Sequence, residues 1–151
     1  MREMEDMPGI VVGIDGSGHS ERALEWATRE AALRQVPLTV ITVHQPVVAY
    51  LGSALDYPED QAVSERVRKA AREQTDKILN RLGGTTPPQV TVDAVSGSPA
   101  EELLRATQDA DLLVVGSRGA GGFARLVMGS VSAQVCHHAH CAVVVIPAGD
   151  R

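Results

Sequence analysis

The stretch VVGSRGAGGFARLVMGSVSAQV, residues 114–135, decides the reading of this chain. Valines run into Gly116, a Gly- and Ser-rich loop follows, and Gly129-Ser130 opens a segment of helical character. The order is strand, loop, helix start. The spacing is Gly116-x2-Gly119-x9-Gly129-Ser130. Glycine lets backbone approach a ligand closely and take positive φ. A helix amino terminus offers N–H groups without intrahelical partners and a partial positive charge, which suits phosphate. The residues alone leave two readings open: a crossover loop that needs glycine for its turns, and a cradle for a nucleotide or another phosphate-bearing ligand.

Working outward, residues 10–14 are a short apolar run between Gly9 and the turn Asp15-Gly16-Ser17-Gly18, read as a buried strand. Ser17 and Ser20 are candidate caps for a helix reaching about Arg34, with Ala23, Leu24, Ala27 and Ala31 as its apolar stripe. Trp26 and Leu33 lie off that stripe and are read as a second contact. Residues 38–43 are a β-branched second strand. Residues 45–60 hold Pro46, Gly52 and Pro58 and form a long connection of the lid or binding-loop kind. A long helix follows, with Val63, Val67, Ala70, Ala71, Ile78 and Leu82 on one face, ended by Gly83-Gly84. Residues 89–95 alternate as a third strand. Ser98-Pro99-Ala100-Glu101 reads as a capping box with proline at the first helical position, opening a helix that ends near Asp109. Residues 112–115, 130–138 and 142–146 complete the chain as strand, helix and strand.

Strands alternating with helices argue a parallel sheet covered on both faces. Ligands of such folds sit at the carboxyl ends of the strands, at the topological switch point. With strand order 3-2-1-4-5, the loops after strands one and four flank that point. Both are rich in Gly, Ser and Asp.

The chain has 151 residues, enough for one domain with a real core. Aromatics are 3% of it, so the core is built from Val, Leu, Ile and Ala, which favours an α/β layered core. Formal charge is −5, with 14 Lys and Arg against 19 Asp and Glu, and no strong basic patch points to nucleic acid. No apolar run is long enough to span a membrane. The leader MREMEDMPG is acidic and lacks the apolar core of a signal peptide, so residues 1–8 are expected to be disordered and the domain to span 9–148. Cys136 and Cys141 give no disulfide framework, and a cytoplasmic location with two thiols is expected.

Four blocks in order, GIVVGIDGS, LTVITVH, the glycine motif and CAVVVIP, resemble the ATP-binding branch of the universal stress protein family. The resemblance covers nearly the whole chain, residues 10–146. Pattern and resemblance together give the expected fold: α/β, a single three-layer domain with a five-stranded parallel sheet in order 3-2-1-4-5 and helices on both faces.

The resemblance implies an ATP site made by Ile14, Asp15, Gln45, Gly116, Ser117, Arg118, Gly119, Gly129, Ser130, Val131 and Ser132. In it, backbone N–H groups near Gly119 and Gly129, with the Ser130 hydroxyl, hold the phosphates. Arg118 and Arg125 either add charge there or face solvent. Asp15 either caps its turn or contacts the ribose or a Mg or Mn ion bridging the phosphates. Gln45 offers a backbone contact to adenine, and His44 is read as structural rather than catalytic. The output is that of a nucleotide-responsive homodimer in stress adaptation. The rival readings are a slow ATPase in the same pocket and a binder of another nucleotide, such as cyclic AMP.

Cys136, His137, His138, His140 and Cys141 suggest a metal site at first sight. The helix must end before the strand at Ala142, and no second ligand group stands elsewhere with metal spacing, so no protein metal site is expected. No P-loop lysine, third Rossmann glycine or nucleophile elbow is present. The closing strand, Ala142, Val143, Val144, Val145 and Ile146, is apolar, uncharged and expected at a sheet edge. Such an edge invites pairing with a second copy, and the resemblance implies a homodimer through it.

Overall fold

The structure is a computed structural model, and it describes residues 9–45, 58–117 and 129–147. Five strands and four helices alternate: β1 (Gly9–Ile14), α1 (Gly18–Arg34), β2 (Leu38–His44), α2 (Pro58–Leu82), β3 (Val90–Ser96), α3 (Pro99–Ala106), β4 (Ala110–Gly116), α4 (Ser130–His138) and β5 (Ala142–Ile146). A short 3-10 turn, Thr107–Asp109, joins α3 to β4. All strands are parallel, in the order β3-β2-β1-β4-β5. The expected fold class and strand order are those of the molecule, with β5 at one edge and β3 at the other.

Side chains alternate across the sheet, so each central strand feeds two cores. Ile10, Val12, Leu38, Val40, Leu112 and Val114 pack under α1 and α2. Val11, Ile41, Leu113 and Val115 pack under Leu103 of α3 and Val135 of α4. β1 and β4 are central and apolar on both faces, which is why neither reads as an alternating strand.

The α1 stripe is as expected: Ala23, Leu24, Ala27 and Ala31 are fully buried. Trp26 packs partly against the same core, but Leu33 is 79% exposed and makes no second contact. Among the α2 residues from 61 onward, Ala71, Thr75 and Ile78 are buried, whereas Ala70 is exposed. One residue along a helix turns the side chain by about 100°. Ala70 therefore falls off the stripe that Ala71, Thr75 and Ile78 share. Thr75 belongs on that stripe because its hydroxyl donates to the Ala71 carbonyl at 2.8 Å.

The connection after β2 ends earlier than expected, because α2 opens on Pro58. Residues 46–57 lie outside the described residues. Pro99 starts α3 as expected, but the Ser98 side chain makes no cap hydrogen bond, so the capping box does not form. The outer faces of β2 and β3 are polar where α3 does not reach them. A cleft of about 520 Å³ opens there, at the amino ends of the strands, lined by Pro37, Thr39, Ile41, Thr91, Asp93 and Asp109.

Candidate functional site

The carboxyl ends of the neighbouring strands β1 and β4 meet at the switch point, at the opposite end of the sheet from that cleft. β1 ends in buried Ile14, and Asp15 follows, exposed, in a turn where Gly16 takes φ 84°. One Asp15 carboxylate oxygen, Oδ1, accepts from the Ser17 amide at 2.9 Å and also from the Ser17 hydroxyl. The Asp15 amide donates to Ser20 Oγ at 3.3 Å. Ser17 is the cap of α1, and its hydroxyl accepts from the Ser20 amide at 3.3 Å. The cap reading of Asp15 and Ser17 is thus realised.

β4 ends at Gly116, in register with Ile146 of β5. Ser117 then ties three elements together. Its amide donates to the Ile146 carbonyl at 2.8 Å, and its carbonyl accepts from the Gly129 amide at 2.7 Å. Gly129 is the cap residue of α4, extended at φ −60° and ψ 159°. The first intrahelical N–H donor is Ala133, bonded to the Gly129 carbonyl at 3.0 Å. The amides of Ser130, Val131 and Ser132 therefore stand at the helix mouth without an intrahelical acceptor. Ser130 is exposed and Val131 half-buried. Ser132 is buried, its hydroxyl 3.2 Å from the Ser117 carbonyl and 3.0 Å from the Gly129 carbonyl. That hydroxyl bridge spans fifteen positions of sequence and has no local signature. Arg118, Gly119 and Arg125 lie outside the described residues.

Gln45 is exposed immediately beyond β2 on the same end of the sheet. His44, before it, places Nε2 at 2.6 Å from Ser64 Oγ, so the ring ties β2 to α2. At the far end of α4, Cys136 is exposed and Cys141 half-buried, both as thiols. Burial pushes the Cys141 thiol up, a backbone hydrogen bond at Leu113 opposes this, and the Asp111 charge adds to it. No three His, Cys, Asp or Glu among the described residues are placed to hold a metal ion. No described helix is long and apolar enough to cross a membrane.

The carboxyl ends of these neighbouring strands thus carry the open amides of the α4 amino terminus beyond β4, the Asp15 carboxylate beyond β1 and the exposed residue Gln45 beyond β2. Solved structures of similar shape hold nucleotides. One is a universal stress protein in complex with cAMP, 28% identical, covering 92% of this chain and 95% of that one, with a TM-score of 0.64. Another is the universal stress protein from Archaeoglobus fulgidus in complex with dAMP, 25% identical, covering 93% and 98%, also with a TM-score of 0.64. A universal stress protein of Mycolicibacterium smegmatis is 35% identical over 150 residues, which is 95% of this chain and 49% of that protein. The chain spans about half the length of the curated relatives it matches. The family model described as the universal stress protein family matches residues 7–147. By that match and that identity, the chain belongs to the universal stress protein family.

Proposed function

We propose that this chain binds an adenine nucleotide, ATP by its glycine motif, between the carboxyl ends of β1 and β4. The observation that carries the reading is the α4 mouth: the amides of Ser130 and Val131 have no intrahelical acceptor and follow Gly129, which is bonded to Ser117 at the end of β4, the strand beside β1. The phosphates would lie on those amides and the Ser130 hydroxyl. Gly116, Gly119 and Arg118 contribute through the motif, and Ile14 floors the pocket. Asp15 faces the ribose or a Mg or Mn ion on the phosphates. The backbone at Gln45 meets adenine. The bound state acts as a nucleotide-responsive signal in stress adaptation, carried by a homodimer paired through Ala142, Val143, Val144, Val145 and Ile146, in the cytoplasm.

Slow turnover fits better than efficient hydrolysis. The chain has no P-loop lysine and no evident water-activating base beyond Asp15. A cyclic AMP site is the second reading, because one solved relative holds that ligand. The test is mass spectrometry of small molecules released on denaturing the purified chain, followed by calorimetry with ATP and with cyclic AMP. ATP released and bound supports the proposal. Cyclic AMP bound in its place selects the second reading, and no adenine nucleotide by either method overturns both.

A further inference from the structure

Ser117 follows the last residue of β4, and Gly129 precedes the first residue of α4. Those two residues are joined twice. The Gly129 amide donates to the Ser117 carbonyl at 2.7 Å. The Ser132 hydroxyl lies between the Ser117 carbonyl, at 3.2 Å, and the Gly129 carbonyl, at 3.0 Å. Ser132 is only 2% exposed, so its hydroxyl is sealed in this arrangement, and its one proton is directed at the fold. The Gly129 amide is likewise spent inside the fold. Ser117 is anchored further by its own amide, which donates to the Ile146 carbonyl at 2.8 Å.

We propose that Ser132 is a positioning residue of the nucleotide site, a clasp that fixes Gly129 against Ser117 and so aims the Ser130 and Val131 amides. In this role Ser132 acts through Gly129 and Ser117, in place of the direct ligand contact that the resemblance implies for it. The inference rests on the nucleotide reading given above. Its physical basis is that donors held in place before binding need no reordering when the anion arrives, and small misplacements of such donors are costly. Breaking the clasp removes the side-chain link and keeps the backbone hydrogen bond from Gly129 to Ser117. The α4 mouth then keeps its amides but loses their aim.

The test uses the full chain and three substitutions, Ser132→Ala, Ser132→Cys and Ser132→Thr. Hydrogen exchange of the Gly129 amide is read without nucleotide, and ATP affinity by calorimetry with magnesium. Ser132→Ala is expected to speed exchange at Gly129 and weaken ATP by about tenfold each, the size of one lost hydrogen bond. Ser132→Cys, a weaker donor of similar size, should fall between Ala and wild type. Ser132→Thr keeps the hydroxyl and should restore both readouts. A direct ligand contact would leave Gly129 exchange in the free protein unchanged, and that result overturns the clasp. Faster exchange with unchanged ATP affinity overturns the positioning role, as does a Thr variant that behaves like Ala. If wild type binds no nucleotide, the functional reading fails, while exchange at Gly129 still reports whether the clasp exists.

Discussion

A Cβ built on Gly13 would stand 2.9 Å from both terminal methyl carbons of Leu103. Glycine at this point of β1 is what lets α3 lie close against the sheet, one residue before the candidate site begins. The same construction on Gly9 meets the Pro37 carbonyl oxygen at 2.5 Å. The two clashes differ in kind. Leu103 can rotate, whereas the Pro37 carbonyl is fixed by the Ile10 amide that donates to it at 3.0 Å. Gly13→Ala is therefore expected to cost about 1 kcal/mol, and Gly9→Ala about 3 kcal/mol, at the two ends of the range for overpacking. Urea unfolding of both variants checks the order, and a larger loss at Gly13 would contradict it.

Ser130→Glu separates helix stability from anion binding. A carboxylate in the first turn of α4 interacts favourably with the helix dipole, by about 0.5 kcal/mol at an exposed position. The same carboxylate competes with phosphate for the helix mouth. The melting temperature should hold or rise slightly while ATP affinity falls by a factor of about 100 or more. Undiminished affinity would remove α4 from the proposed site.

Asp15→Asn tests whether the carboxylate serves a metal. Asparagine can still accept from the Ser17 amide and hydroxyl, so the turn should persist and stability should change by less than about 0.5 kcal/mol. The loss of charge should weaken ATP in the presence of magnesium or manganese and leave metal-free binding nearly unchanged. Equal weakening with and without metal would instead assign Asp15 to the ribose.

Val144→Pro bears on assembly. Val144 is at the centre of β5, in register with Val114 of β4. Proline removes one N–H donor and is tolerated on an edge only where that donor is unused. If the proposed homodimer forms along β5, light scattering should find wild type at twice the chain mass and the variant at the chain mass. A monomeric wild type at micromolar concentration would overturn the dimer.

The Cys141 thiol gives a pH readout. Burial first, and the Asp111 charge in addition, hold it above the ordinary range of a thiol. Its thiolate, the nucleophile, is therefore scarce at neutral pH. The iodoacetamide rate at Cys141, followed by peptide mass spectrometry, should rise at a higher pH than that of an unperturbed thiol, near 8.5. A midpoint at or below 8.5 would contradict the burial argument.

Much of the fold was legible because apolar runs, turn residues and helix stripes agree along this chain. The α1 stripe follows from Ala23, Leu24, Ala27 and Ala31, whereas the edge placement of β5 rests on the strand order that pattern and resemblance together imply. Other features need tertiary contacts. Gln35 ends α1 in the left-handed region at φ 53°, where glycine would be the usual signal. Its side-chain amide donates to the carbonyls of Ala32 and Thr86, at 2.7 and 3.2 Å. Thr75 looks polar in sequence and is buried because the helix itself accepts its hydroxyl. At the site, the glycine motif raises the expectation of a phosphate ligand. It does not say which donors the fold consumes: Gly129 and Ser132 belong to the motif region, yet both turn toward Ser117.

The two edges of the sheet are finished differently. On β3, Arg68 of α2 reaches back and its Nε donates to the Val92 carbonyl at 3.1 Å. Among the described residues no side chain is bonded in this way to β5, and Arg22 reaches only the Pro147 carbonyl just past its end, at 3.2 Å. An incoming strand at β3 must displace a guanidinium, while one at β5 need not. The sheet is therefore polarised as a building block, with one receptive rim and one blunted rim. If the proposed pairing along β5 forms, the blunted β3 rim would end it after a single step and so disfavour the open-ended stacking from which fibres grow.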